Sequence, residues 1–281
     1  MSALLEPFAY AYMRDAIWVC ALVGAVCGAL SCFLMLKGWS LIGDALSHAV
    51  VPGVAVAAIL GLPFALGAFA AGGLAAGAML FVRERSALKQ DAIIGIVFTS
   101  FFALGLFIVS LRPTSIDVQT IMLGNVLAIA PADTLQLAII GGASLAAVAL
   151  LWRDLMAVFF DETHARSIGL ATGALKLLFF ALLAASTVAA MQTVGAFLVI
   201  ALVVTPGATA YLLADRFGTV LILGTAIGAI TSAVGAYLAY FLDSAPGGTI
   251  VLLQTAAFLA AFVLAPKHGR LAARRAMRGA G

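Results

Sequence analysis

Long apolar runs, separated by short clusters of charge, glycine and proline, set the pattern of this chain. The runs are uninterrupted rather than alternating over roughly ten residues, which argues against membrane strands and for helices. A helix needs about 20 apolar residues to cross the hydrocarbon of a bilayer. By that measure the chain has nine predicted spans, at 15–36, 41–60, 62–82, 92–111, 134–152, 173–191, 194–214, 219–242 and 248–265. The second and third are joined by the tight GLPF at 61–64, and the sixth and seventh by almost nothing at 191–193. A merger at one of these joints would leave eight. The fold class is all-α, a polytopic transmembrane helix bundle, with 1–281 as a single transmembrane domain.

Composition agrees: 64% of residues are hydrophobic and 10% charged, against roughly a quarter charged in soluble domains. The net charge of +3 matters less than its placement. Nine alternating spans put Lys37, Arg83, Arg85, Lys89, Arg153, Arg166, Lys176, Arg216, Lys267, Arg270, Arg274, Arg275 and Arg278 at one face of the membrane, and only Arg14 and Arg112 at the other. The positive-inside rule then predicts an outside N-terminus and a cytoplasmic C-terminus, in a multi-pass protein of the bacterial plasma (inner) membrane. The basic tail PKHGRLAARRAMR at 266–278, within a cytoplasmic end at 266–281, is expected at the anionic lipid surface. No nucleic-acid partner is expected. No basic region precedes the first apolar run, so a cleavable signal peptide is not expected. Cys20, Cys27 and Cys32 all fall within that run and lack a metal-finger pattern, which assigns them to packing.

Two hydrophilic segments stand out. LRPTSIDVQTIMLGNVLAIAP at 111–131 is expected outside, partly in the interface. The cytoplasmic 152–173 reads either as a short amphipathic helix or as a solvated connecting loop. For the helix, Asp161 is the N-cap candidate, Thr163 to Ile168 form the body and Gly169 stops it.

The chemistry lies in the second span, WSLIGDALSHAVVPGVAVA at 39–57. Ionisable residues inside a span are costly and functional by default. Asp44 and His48 are four residues apart, so a helix places them on one face with Cβ atoms about 6 Å apart. A carboxylate with an imidazole suits manganese, iron or zinc better than calcium or copper(I). The alternative is a pair that only locks helices together, with Ser40 or Ser47. Pro52 has no N–H to give the His48 carbonyl, which is left for a water, a hydroxyl such as Ser47, or an ion. Pro52 and Gly53 are echoed by Pro206 and Gly207 in VVTPGATA at 203–210, and paired interruptions of this kind point to a transport pathway.

No lysine follows a glycine, so the chain has no P-loop and is not expected to hydrolyse ATP. There is no H-E-x-x-H, and His48 is the one histidine within a predicted span, too few groups for an intramembrane metalloenzyme. A self-contained secondary transporter or channel, with Asp44 and His48 relaying protons, stays open on these residues alone.

KGWSLIGDALSHAVVPGVA at 37–55, FDETHARSIGL at 160–170, TVGAFLVIALVVTPGATA at 193–210 and DSAPGGTIVL at 243–252 resemble the permease subunits of metal-ion ABC transporters of the zinc, manganese and iron import type. The likeness covers nearly the whole chain. It departs at Lys37-Gly38, where many relatives carry a basic pair, and at Gly207, where alanine is frequent. The resemblance implies that Asp44 and His48 coordinate the transported divalent metal. It implies that Asp161, Glu162, Ala165, Arg166 and Gly169 form a coupling helix for an ATP-binding subunit, that an extracytoplasmic metal-binding protein delivers the ion, and that no cofactor is permanently bound. It also implies two permease chains per assembly, read here as a two-fold homodimer unless a paralogous chain replaces one copy. The metal path would then follow the subunit interface. Ala45, Ala49, Gly53 and Ala57 recur every fourth position beside the ligand face, fitting either a helix contact across that interface or ordinary packing within one chain.

Overall fold

The computed structural model describes residues 3–62, 64–111 and 129–265. Among these, nine helical segments are long and apolar enough to cross a membrane. After a 3₁₀ turn at Ala3–Ala9, the helices are α1 (Ala11–Lys37), α2 (Ser40–Ala49), α3 (Val51–Leu60), α4 (Phe64–Arg85), α5 (Gln90–Leu111), α6 (Pro131–Phe160), α7 (Glu162–Ser167), α8 (Thr172–Val194), α9 (Ala196–Leu213), α10 (Phe217–Leu242) and α11 (Pro246–Leu264). Helices α2 and α3 make up one span, and α7 is too short to cross. Both tight joints separate two spans, the second at Gly195 and not at the expected 191–193, so the expected nine spans stand among the described residues. The expectations for 112–128 and for the basic tail fall outside the described residues.

The joint between α8 and α9 is the single residue Gly195, at φ 85° and ψ 159°. That region is essentially reserved for glycine, which lets two spans follow each other with no loop. The fifth span differs from its expected end at 152. It runs on to Phe160 because Leu155, Val158 and Phe159 repeat at helical spacing and are all buried, while Arg153 points outward. Residues 152–160 therefore belong to a long helix rather than to a separate amphipathic segment.

α1 is the axis of the bundle, packed against α10, α9, α6 and α8. Its closest partner is α10: a Cβ at Gly24 or Gly28 would collide with the carbonyl of Gly228 or Gly224. Lipid tails are as apolar as leucine, so helices in a bilayer gain from close backbone approach rather than from burying apolar area. The cysteines serve this packing. All three are buried free thiols, and Cys32 Sγ donates to the Gly28 carbonyl at 3.2 Å. Large apolar side chains such as Leu150, Ile222 and Leu252 cover the outside of the bundle, as a lipid-facing surface requires.

Candidate functional site

The second span is enclosed rather than peripheral: α4, α5, α8 and α9 all pack on it. It breaks at Val50, between α2 and α3, with Pro52 in the first turn of α3. The Val50 N–H turns back onto the His48 carbonyl, so that carbonyl keeps one partner despite Pro52. The Ser47 hydroxyl donates to the Gly43 carbonyl at 2.9 Å and not to His48. Asp44 is described by its backbone alone, one helical turn before His48 in α2.

His48 is half-buried, and its ring faces two phenylalanines of α5. Phe98 lies at 5.5 Å and Phe102 at 5.6 Å between ring centroids, and the two stack on each other at 6.0 Å. One further turn along α5, a Cβ at Gly105 would stand 2.7 Å from Val51 Cγ1 and 2.9 Å from the Pro52 nitrogen. Helix α5 thus covers both His48 and the break. On another side Gly43 seats Val203 of α9. Among the described residues no three His, Cys, Asp or Glu side chains gather as a metal site.

The small-residue stripe is an internal contact. Ala45, Ala49 and Ala57 are buried within the chain, and a Cβ at Gly53 would collide with the carbonyl of Gly67 on α4. The tight turn after Leu60 brings α4 back along α3, so a contact between neighbours in sequence takes the face that a second chain could have used. Of the two readings of the stripe, packing within one chain is the one that holds, and cysteines placed at Ala49 or Gly53 are not expected to crosslink between subunits.

The second Pro–Gly stretch behaves differently from the first. α9 runs unbroken through Pro206, and both Pro206 and Gly207 are buried. Ser31 of α1 repairs the backbone there: its hydroxyl donates to the Val204 carbonyl at 3.1 Å and accepts from the Gly207 N–H at 3.0 Å. Ser31→Ala would remove both of these buried hydrogen bonds between α1 and α9. We expect about 1–2 kcal/mol of lost stability, read as earlier unfolding of the purified chain in detergent; unchanged unfolding would mean that the helix satisfies itself there.

α7 is built as its sequence predicts. Asp161 Oδ1 accepts from the N–H groups of Thr163 at 2.9 Å and His164 at 3.1 Å, an N-cap. The helix stops in a Schellman motif, with Gly169 at φ 84°, Gly169 N–H on the Arg166 carbonyl at 3.0 Å and Leu170 N–H on the Ala165 carbonyl at 3.0 Å. Ala165 is fully buried and seats the helix, while Phe160 is 76% and Ile168 57% exposed. Glu162 ties α7 to α8 through Lys176 at 2.5 Å and binds Arg166 at 2.8 Å. Burial acts to raise the Glu162 carboxyl, but the Lys176 ammonium and then the Arg166 guanidinium outweigh it and hold it below the usual carboxylate range. The tie is therefore complete at neutral pH and is lost only as pH falls through that depressed value.

Residues 9–265 match the family described as the ABC 3 transport family. The chain belongs to this family. The permease is 64% identical over 274 residues to the chelated iron transport system membrane protein YfeC of Yersinia pestis, covering 98% of this chain and 93% of that one. It is 47% identical over 269 residues to the manganese transport system membrane protein MntB of Synechocystis, covering 96% and 88%. Its fold superposes with a TM-score of 0.85 and 36% identity on a chain of PsaBC from Streptococcus pneumoniae solved in complex with Fab, over 96% of the permease and 98% of that chain.

Sequence reasoning missed Phe98, Phe102 and Ser31 as neighbours of the two proline breaks. Two phenylalanines at i and i+4 in a fully apolar span look the same whether they face lipid or a histidine, and one serine in such a run carries no direction.

Proposed function

We propose that the chain is the permease subunit of an ATP-driven importer of a divalent transition-metal ion, manganese, iron or zinc, and that the ion passes Asp44 and His48. One observation carries the reading: a family match over residues 9–265 contains a broken span with a histidine one helical turn from an aspartate. The relatives' names, iron transport and manganese transport, support a metal cargo. His48 binds as the neutral imidazole and Asp44 as the carboxylate. Two side chains fall short of the four to six donors that such ions take. Water, the second lone pair of the His48 carbonyl, or a second permease chain supplies the rest.

The N-terminus lies outside and the C-terminus in the cytoplasm, because the basic residues of α4, α7 and α8 share one end of the bundle. At that end α7 docks the ATP-binding subunit, offering the charged face around Arg166 with Phe160 just before the helix and Ile168 just after it. An extracytoplasmic metal-binding protein feeds the opposite end, and two permease chains pair to meet two ATPases. The test is reconstitution in vesicles. ATP-dependent accumulation of metal is expected only with the permease and its ATP-binding partner together, and the chain alone, lacking a P-loop, hydrolyses no ATP. Accumulation driven by an ion gradient without the partner would replace this reading with a secondary transporter. Comparing manganese, iron and zinc content in cells lacking the chain identifies the cargo.

A further inference from the structure

Trp39 touches both the root of α7 and the start of the helix that carries Asp44 and His48. Phe159, two residues before the α7 cap Asp161, meets the Trp39 indole edge-on at 5.4 Å and 66°. Phe180, one helical turn beyond the Lys176 that clasps Glu162, stacks on it at 5.6 Å and 22°. Arg83, at the end of α4, lies over the same ring at 5.0 Å. Trp39, Phe159 and Phe180 are all buried. The main chain of Trp39 is tied to both neighbouring helices: its N–H is bonded to the Leu34 carbonyl of α1 at 2.8 Å, and its own carbonyl accepts from Ile42 N–H of α2 at 3.1 Å. The cavity bordering the ring, between Trp39, Ile42, Met79, Arg83 and Phe180, is about 20 Å³, room for about one water, so the indole is closely packed.

We propose that Trp39 is a positioning residue that passes movement of α7, imposed by the ATP-binding partner, to α2 and so to Asp44 and His48. The inference rests on the reading of α7 as the docking helix. Close-packed side chains transmit a displacement instead of absorbing it. Phe159 and Phe180 flank the two residues that anchor α7, Asp161 and Lys176, so a tilt of α7 moves both rings against the indole. With its ring buried and its carbonyl bonded into the first turn of α2, Trp39 carries that push to the ligand helix.

Trp39→Ala in the assembled importer is expected to leave ATP hydrolysis within about twofold of the parent while metal carried per ATP falls about tenfold. Trp39→Phe keeps a ring against Phe159 and Phe180 and should restore most of the ratio. Phe33→Leu is the packing control: Phe33 touches Phe159, Phe179 and Phe217 from α1, and its loss should lower stability without changing the ratio. A chain carrying Trp18→Phe and Trp152→Phe, assembled with a tryptophan-free ATP-binding subunit, leaves Trp39 as the reporter, and its emission should shift when nucleotide is trapped on that subunit with vanadate. An unchanged ratio in Trp39→Ala, hydrolysis falling in step with uptake, or emission indifferent to trapped nucleotide overturns the relay. Normal ATPase binding and coupling in Ala165→Pro would instead remove the docking reading, a result that does not involve Trp39.

Discussion

Replacing Asp44 or His48 by alanine is expected to lower metal uptake by about 100-fold or more, with insertion and folding intact. Loss of a group that merely orients a metal ligand costs about 10–100-fold, and losing a ligand from a pair with so few donors costs at least as much. His48 also packs on Phe98 and Phe102, so its alanine variant removes both a ligand and a contact. His48→Phe separates the two effects by refilling the space without a metal donor. If coordination is the role, His48→Phe is folded and inactive; if only packing matters, it transports. Uptake of manganese, iron and zinc into vesicles, with monodispersity in detergent as the folding check, gives the answer. Wild-type rates in both alanine variants would place the pathway elsewhere.

The second large effect is expected in α7. Ala165→Pro removes the N–H that bonds the Asp161 carbonyl at 3.0 Å and puts a ring where a six-residue helix is seated in the bundle. Glu162→Lys reverses the charge that holds Lys176 and Arg166. Both changes free α7 from α8 without touching the second span. Metal binding to the permease should remain at the parental level, while metal carried per ATP hydrolysed drops about tenfold or more. Because Arg166 is largely exposed, its bond to Glu162 contributes little by itself, and the milder Glu162→Gln should reproduce only part of the effect. Crosslinking that places α7 outside the cell would overturn both its role and the orientation.

The sequence alone determined whatever depends on local chemistry. A bilayer demands about 20 apolar residues per crossing and satisfaction of every backbone group within the span, so the nine spans, the GLPF turn and the existence of a near-zero joint between the sixth and seventh spans could be read without knowing any neighbour, although the joint falls at Gly195 and not at 191–193. The Asp161 cap and the Gly169 stop were legible for the same reason, since each acts within five residues of itself. The Asp44–His48 spacing was equally local. Tertiary structure alone decided which faces meet. In a bundle whose helices are apolar on every side, periodicity cannot tell a surface that faces lipid from one that faces protein. Hence the stripe of Ala45, Ala49, Gly53 and Ala57 was compatible with a partner chain until Gly67 appeared against it, and α6 outran its expected end once Leu155, Val158 and Phe159 found the core. The placement of Phe98 and Phe102 on His48, of Ser31 on the Pro206 turn and of Trp39 between Phe159 and Phe180 each joins residues far apart in the chain. Such contacts are chosen by the packing of whole helices, for which a single apolar run carries no address.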